Sequence, residues 1–283
     1  MNKLITAVLV LSCTLSNAQI IKTKIHETGG NTESYQLSAL DSILYDGLNI
    51  NMTIYQTGGN IVDHPIANVD SITFVTATCP ATLTDPRDEE VYPVLQIGDQ
   101  CWMAENLRYD VPDIFGISDT INPLNPSLLY GRLYDWTTAM NDSASSTLNP
   151  SGVQGICPDG WHIPSDAEWN EMELALGMPL SGTTWIGYRG FHALSIKSVT
   201  GWSESILDGS DGNGTNQTGF NAFPAGRVLD SFFDDLSQYA IFLSATAPNS
   251  SLVWCREVNS GNTAVGRYGH PKYNAHSCRC VMD

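Results

Sequence analysis

The sequence predicts an α+β fold: a domain of short strands, long loops and one or two helices, preceded by a small all-β module. A segment near the start recurs once without a gap, which indicates the module. One helix carries a complete N-terminal signature, and the other apolar segments are short, β-rich and separated by turn residues. The length of 283 residues allows one or two such domains with cores of ordinary size.

The first 18 residues have the pattern of a secretory signal peptide. Lys3 supplies a positive charge, residues 4–11 form an apolar run, and small residues precede a predicted cleavage site between Ala18 and Gln19. Cys13 leaves a second interpretation open, because the residues before it resemble a lipoprotein box and would make it a lipid anchor. Both interpretations predict export, to the medium or to the outer cell surface.

Composition excludes several classes of function. The net charge of −17 disfavours binding to nucleic acid, whose phosphates attract basic surfaces. After the first twenty residues no apolar run approaches the ~20 residues that a membrane-spanning helix needs. We therefore expect neither a nucleic-acid partner nor a transmembrane segment.

The repeat defines the first module, over residues 19–76. Residues 25–45 and 54–74 align at an offset of 29 with eight identities in 21 positions. Each copy places Gly-Gly-Asn between two extended segments, and this predicts a hairpin turn because Gly and Asn tolerate positive φ. Two copies are too few for a solenoid. We interpret the module as two paired hairpin units that serve as a spacer, with a peptide-binding sheet edge as the alternative.

Six cysteines follow the signal peptide, and in an oxidising compartment an even number favours disulfides, although fifteen pairings are possible. C-x-x-C spacing is absent from the sequence, which disfavours a metal site. Cys278 and Cys280 occupy a C-x-C segment on a predicted strand. We expect their side chains to point to opposite faces and to have different partners.

One helix is predicted over residues 166–176. Ser165 and Glu168 form a capping box, which satisfies amide groups at the helix start. Apolar residues at i, i+3 and i+7 then form a stripe, and Gly177 ends the helix. The stripe consists of Trp169, Met172 and Leu176.

Five motifs follow one another in the second domain, over residues 77–283. They are YPVLQIGDQCWMAENL (92–107), YGRLYDW (130–136), CPDGWHIPSDAEW (157–169), GFNAFPAG (219–226) and RCVMD (279–283). Their order resembles the Fibrobacter succinogenes major paralogous domain (FISUMP) family over about two thirds of the chain. That family is similar to the C-type lectin-like fold, which formylglycine-generating enzymes also use. The resemblance implies a C-type lectin-like domain in a secreted or surface protein.

The resemblance also implies a disulfide pattern. Lectin-like domains tie the segment before the first helix to the last strand, which suggests a Cys157–Cys280 bridge. Cys255 and Cys278 both stand where the family has other residues, which suggests a second bridge, Cys255–Cys278, across neighbouring strands. A Cys79–Cys101 bridge would then fix the first hairpin of the domain.

For function, the resemblance implies non-catalytic recognition or adhesion, with an extracellular glycan or surface protein as the partner. The binding face is predicted on the loops at 110–128, 178–190 and 203–218, because function sits in variable loops. Three aromatic residues are candidates for stacking on sugars, and Asn249 is the nearest match to a sugar-binding Pro-Asn motif. The aromatic candidates are Trp185, Tyr188 and Trp202.

We expect no cofactor, with a bound calcium ion as the alternative. Asp208, Asp211 and Asn213 lie in a loop rich in oxygen ligands, but the acidic residue that ends an EF-hand loop is missing. A solvated loop without metal is the expectation, because Asp and Asn are also ordinary loop residues.

We expect no enzymatic activity. The alternative is a divergent oxidase of the formylglycine-generating type, with Cys278 and Cys280 as a copper-binding pair. Divergent side-chain directions on a strand disfavour that pair. His162 is expected to make a structural hydrogen bond at the helix approach. A structural surface protein without a specific ligand is the remaining alternative.

Overall fold

The fold is described from a computed structural model. It covers residues 79–111, 129–205 and 208–283 in full, together with the backbone of residues 127–128 and of six strands between residues 20 and 77. The predicted signal peptide, Cys13 and both Gly-Gly-Asn turns lie outside the described residues. The chain divides into two compact units, one ending at Thr78 and one beginning at Cys79. No helix in the described part of the chain is long and apolar enough to cross a membrane.

The first unit is built entirely of strands where it is described. They are β1 (Ile20–Glu27), β2 (Thr32–Gln36), β3 (Leu40–Tyr45), β4 (Asn51–Gln56), β5 (Ile61–Pro65) and β6 (Val69–Ala77). They form two antiparallel three-stranded sheets with orders β2-β1-β6 and β3-β4-β5. Since β1–β3 belong to the first copy of the repeat and β4–β6 to the second, each sheet takes a hairpin from one copy and its third strand from the other.

The strand exchange between copies follows one register. Ile25 faces Ile72 across β1 and β6, and the equivalent residues 29 positions away, Ile54 and Ile43, face each other across β4 and β3. Both pairings also shift register at the same point of the repeat, next to Asp70 and Asp41. The sequence identity between the copies therefore reflects one pairing geometry used twice.

The second unit combines short strands with short helices. Its strands are β7 (Thr82–Thr84), β8 (Val91–Ile97), β9 (Gln100–Met103), β10 (Leu133–Tyr134), β11 (Trp161–His162), β12 (Gly187–Arg189), β13 (Arg227–Leu229), β14 (Phe232–Asp234), β15 (Tyr239–Leu243), β16 (Leu252–Asn259), β17 (Val265–Pro271), β18 (His276–Ser277) and β19 (Val281–Met282). Its helices are α1 (Ser127–Tyr130), α2 (Trp136–Met140), α3 (Asp166–Ala175) and α4 (Ala193–Ile196), and a 3-10 turn covers Leu180–Gly182.

Two sheets organise this unit. The larger has the order β10-β18-β15-β16-β17-β12, the smaller the order β11-β19-β9-β8-β7, and β13 and β14 form a separate hairpin. The last residues of the chain supply β18 to one sheet and β19 to the other. The segment between them, which holds Cys278 and Cys280, therefore lies where the sheets meet. The unit is sheet-rich α+β, as the sequence predicts.

Helix α3 forms as its sequence signature predicts and ends one residue earlier. The Ser165 hydroxyl accepts from the Glu168 amide, and the Glu168 carboxylate accepts from the Ser165 amide, so both halves of the capping box are present. Trp169 is buried and lies 4.6 Å from Trp102 between ring centroids. Its indole donates to the carbonyl of Leu243 in β15, which joins α3 to the larger sheet.

An ionic network lies between α3 and the larger sheet. Glu173, fully buried, accepts from Arg189 and, at 3.0 Å, from the Nε of Arg256. Asp166 accepts from Arg256 at 2.7 Å and from two nitrogens of Arg267 at 2.7 and 2.8 Å. Three guanidinium groups thus share two carboxylates, and burial together with Arg256 lowers the pKa of Arg189 to about 10.

Two disulfides are present, Cys79–Cys101 and Cys157–Cys280, with Cα separations of 5.5 and 5.9 Å. Both were expected. The predicted Cys255–Cys278 bridge is wrong: both residues are buried free thiols. Cys255 on β16 pairs with a residue of β15, and β18, which leads into Cys278, pairs with the other edge of β15. Residues on strands separated by a third lie about 10 Å apart, and a disulfide needs less than about 7 Å between Cα atoms.

Candidate recognition surface

Large apolar side chains are exposed around β12, the edge strand of the larger sheet. Leu180, Trp185, Ile186 and Phe191 have 75, 65, 59 and 88% of their side-chain surface exposed. We call these four residues the β12 patch. Scattered exposed apolar residues are ordinary, but several large ones in one short segment are typical of an interaction site.

Tyrosine rings border the patch. Tyr188 in β12 packs edge-on against Tyr268 of β17, with 5.6 Å between ring centroids. Gly187 lies between these rings and Trp185: a Cβ at this position would be 3.4 Å from the Trp185 Nε1 and 3.8 Å from the Tyr268 hydroxyl. With its φ of +121°, glycine both permits this backbone conformation and keeps the space between the rings clear. The strand edge thus presents three aromatic side chains close together.

Polar groups lie directly behind the tyrosines. The Tyr188 hydroxyl donates to the carboxylate of Glu257 and accepts from the amide of Asn259. Burial and then the Glu257 carboxylate raise the pKa of Tyr188 well above its usual value, so the hydroxyl keeps its proton. Glu257 also lies 3.5 Å from the Nε2 of His270. The Tyr188 side chain is therefore held in place by a hydrogen-bonded network.

The motifs quoted from the sequence lie mainly inside the domain. Asn106 donates to the Tyr130 carbonyl and to the Ser277 hydroxyl, and it accepts from Arg279 at 2.7 Å. A Cβ at Gly131 would lie 2.4 Å from the Cβ of Asn106, so only glycine fits there. Three of the quoted motifs, far apart in sequence, therefore meet at Asn106 inside the domain.

The model of the Fibrobacter succinogenes major domain family matches residues 95–282. The chain belongs to this family. No curated protein and no solved structure significantly matches the sequence. Membership accounts for the internal motifs of the FISUMP domain, whereas Leu180, Trp185, Ile186 and Phe191 lie between those motifs.

Of the four predicted binding residues of the FISUMP domain, the structure brings two together and places the other two elsewhere. Trp185 and Tyr188 lie together at β12, as described above. Trp202 is a core residue: it is 5% exposed, and its indole donates to Ser198 and to a backbone carbonyl. Asn249 is exposed, but its side-chain oxygen accepts from the amides of the turn before β16.

Asn249 also lies far from the β12 patch. Its turn precedes Leu252, at one end of the β16–β17 pair, whereas Glu257 and Tyr188 lie near the other end. Five residues of strand between them correspond to roughly 17 Å. Two residues that the sequence did not single out, Phe191 and Tyr268, contribute to the surface instead. The alternating side-chain directions along β17 predict which face Tyr268 lies on. They do not show that β17 pairs with β12, because that depends on the strand order.

The predicted calcium loop folds back on itself. Asp208 accepts from the backbone amide and hydroxyl of Ser210, and Asp211 accepts from the backbone amide of Asn213. The side-chain oxygen of Asn213 accepts from the backbone amide of Trp202. Among the described His, Cys, Asp and Glu residues, Asp208 and Asp211 do not converge with a third ligand. These contacts are those of ordinary Asx turns, and calcium binding stays a prediction.

The expectation for the C-x-C segment is wrong in its geometry. The sulfur atoms of Cys157, Cys278 and Cys280 all lie within 4.8 Å of one another. Residues two apart on an extended chain point to the same face, not to opposite faces. Because Cys280 is bonded to Cys157, Cys278 and Cys280 are nevertheless not a pair of free thiols.

Both ring nitrogens of His162 make short hydrogen bonds to carboxylates. Its Nδ1 lies 2.6 Å from a carboxylate oxygen of Asp283, and its Nε2 lies 2.6 Å from one of Glu168. Burial alone would lower its pKa. The hydrogen bonds that the ring makes to the carboxylates of Asp283 and Glu168 outweigh burial and raise the pKa of His162 to about 9. The ring is therefore an imidazolium at neutral pH, and it ties the last residue of the chain to α3.

This ion triad predicts a loss of stability at alkaline pH. The pKa of His162 is higher in the folded state than its unfolded value near 6.5, so its contribution is complete below about pH 6.5 and is lost as the pH rises through 9. We expect about 3 kcal/mol less free energy of unfolding at pH 10 than at pH 6 from this group. Urea titrations across that range should show a weaker pH dependence in His162→Gln. Equal slopes in both proteins would contradict the assignment.

Proposed function

We propose that this chain is an exported, non-catalytic recognition protein and that its FISUMP domain, of C-type lectin-like fold, binds an extracellular glycan at the β12 patch. The exposure of Trp185 beside Tyr188 and Tyr268 is the observation that carries the proposal. The two disulfides, Cys79–Cys101 and Cys157–Cys280, support an extracellular location, because such bonds persist in oxidising compartments.

The chemistry of the patch suits a sugar. Aromatic rings have a negative face, and the C–H groups on one side of a pyranose are weakly positive, so the sugar stacks on the ring. Tyr and Trp have only two χ angles, so little side-chain entropy is lost on binding. Amphipathic rings with polar groups close by are also typical of small-ligand sites. Here the rings are Trp185 in the patch and Tyr188 and Tyr268 at its border. The polar groups are Glu257 and Asn259.

A protein ligand is the second candidate, and one observation favours it. Strand β12 is the last strand of its sheet, and an exposed edge can accept an added strand from a peptide. The apolar side chains of Trp185, Ile186 and Phe191 would then contact the residues of that strand. A structural protein without a ligand, or a divergent oxidase, has no comparable observation in its favour.

Replacement of Trp185 should weaken glycan binding without unfolding the domain. We expect Trp185→Ala to weaken glycan binding at least tenfold, because the stacking surface is lost while the exposed side chain contributes little to the core. Glycan arrays followed by titration calorimetry would measure the effect. Phe232→Ala is the matched control, since Phe232 is 75% exposed on the separate β13–β14 hairpin, and it should bind like the wild type.

The array result separates the alternatives. Binding that survives in Trp185→Ala, or that is lost equally in Phe232→Ala, would contradict the site. If the domain binds a protein ligand and no glycan, the result would favour strand addition at β12. The same arrays in calcium and in chelator test the loop at Asp208, which the proposed site does not need.

A further inference from the structure

Three sulfur atoms share one buried position between the two sheets of the second unit. Those of Cys157, Cys278 and Cys280 lie within 4.8 Å of one another, and all three residues are fully buried. Only one disulfide joins them, Cys157–Cys280, and Cys278 is a free thiol. The site therefore holds one bond and two potential partners for Cys157.

The backbone explains why both cysteines of the C-x-C segment point at Cys157. The intervening Arg279 turns the other way, and its guanidinium donates to Asn106 and to the carbonyls of Met103 and Phe220. With Arg279 anchored on one side, the residues before and after it face the opposite side together. The Cys278 carbonyl accepts from Leu107 and the Cys280 carbonyl from Met103, so the backbone of both residues is held in place.

We propose that Cys157, Cys278 and Cys280 form a thiol–disulfide exchange site, in which Cys278 is an alternative partner of Cys157. Cys278 loses its proton, and its thiolate attacks the Cys157 sulfur. The Cys157–Cys278 bond forms as the Cys157–Cys280 bond breaks, and the departing Cys280 thiolate takes up a proton. Electrons and protons balance, so the exchange needs no external oxidant or reductant.

The surroundings set the rate of exchange. Burial raises the pKa of the Cys278 thiol to about 12, so at neutral pH almost all of it is protonated and unreactive. Exchange is therefore slow in the closed domain and becomes faster at alkaline pH. Cys255 is equally buried, but a strand separates it from Cys278, and it takes no part.

The sequence makes the two pairings easy to distinguish. Trypsin cleaves after Arg279, which places Cys278 and Cys280 on different peptides. In Cys280→Ser, exported and alkylated without reduction, we expect Cys157 to be cross-linked to Cys278 and only Cys255 to be alkylated in the second unit. If Cys157 and Cys278 are both alkylated, the proposal is wrong.

The wild type provides a second test that needs no substitution. The full chain is incubated at pH 9 without denaturant and without any added thiol or disulfide, and is then acid-quenched, alkylated and digested. We expect the peptide that ends at Arg279 to become cross-linked to the peptide with Cys157, at a level that grows with time. A map with only Cys157–Cys280, a Cys278–Cys280 bond, or equal participation of Cys255 would each overturn the proposal.

Discussion

Replacing Glu173 by Gln should lower the free energy of unfolding of the second unit by about 3–5 kcal/mol, the cost of breaking a buried ion pair. Glu173 is fully buried and pairs with Arg189 and Arg256. Its loss leaves three guanidinium groups around Asp166 alone. Since all seven tryptophans lie between residues 102 and 254, urea unfolding followed by tryptophan fluorescence reports on this unit separately.

Glu171→Gln is the matched control on the same helix. Glu171 is half-buried and accepts only from Asn149 among the residues described. Burial already raises the pKa of its carboxyl, so removal of its charge should change the stability by no more than about 0.5 kcal/mol. Similar losses in Glu171→Gln and Glu173→Gln would show that the ionic network does not determine stability in this region.

Replacing Cys157 by Ser should cost about 4–5 kcal/mol under oxidising conditions. The Cys157–Cys280 bond spans 123 residues and the Cys79–Cys101 bond spans 22. Because the loop entropy removed from the unfolded chain grows with the logarithm of loop length, loss of the shorter bond in Cys79→Ser should cost about 3 kcal/mol. Non-reducing urea titrations of both variants measure the difference.

Cys280→Ser distinguishes this entropic effect from the exchange site. If Cys278 replaces Cys280 as the partner of Cys157, the loop is closed again with nearly the same length. Cys280→Ser should then retain most of the stability that Cys157→Ser loses. A smaller loss in Cys157→Ser than in Cys79→Ser would contradict the loop-length argument.

A local pattern predicted one helix accurately, whereas the shorter helices α1, α2 and α4 were not predicted. The Ser165 capping box placed α3 to within one residue, because a cap depends only on neighbouring residues. The family resemblance supplied the Cys157–Cys280 disulfide directly, and Cys79–Cys101 was the pair that remained. By contrast, the Cys255–Cys278 bridge failed because it depends on strand order, and no local pattern shows that β15 lies between these residues.

The candidate surface was predicted only in part, for a similar reason. Trp185 and Trp202 are both preceded by polar, turn-forming segments, yet one is exposed and the other is buried against Ser198. Exposure depends on which segments cover a side chain, and this is a property of the tertiary fold. The sequence did not predict the ionic network. Arg189 and Arg256 lie on other elements than Glu173, and no local pattern spans the separation in sequence.

The exchanged strands of the first unit have a mechanical consequence. Ile20, at the start of β1, faces Ala77, at the end of β6, so the chain enters and leaves the unit only about 5 Å apart. The folded unit therefore adds almost no length to the chain between the residue before Ile20 and the residue after Ala77. Tension across its two ends would separate β1 from β6 one residue pair at a time, beginning at Ile20, and would release the stored length of chain. The unit would thus act less as a rigid spacer than as an extensible segment that lengthens under load.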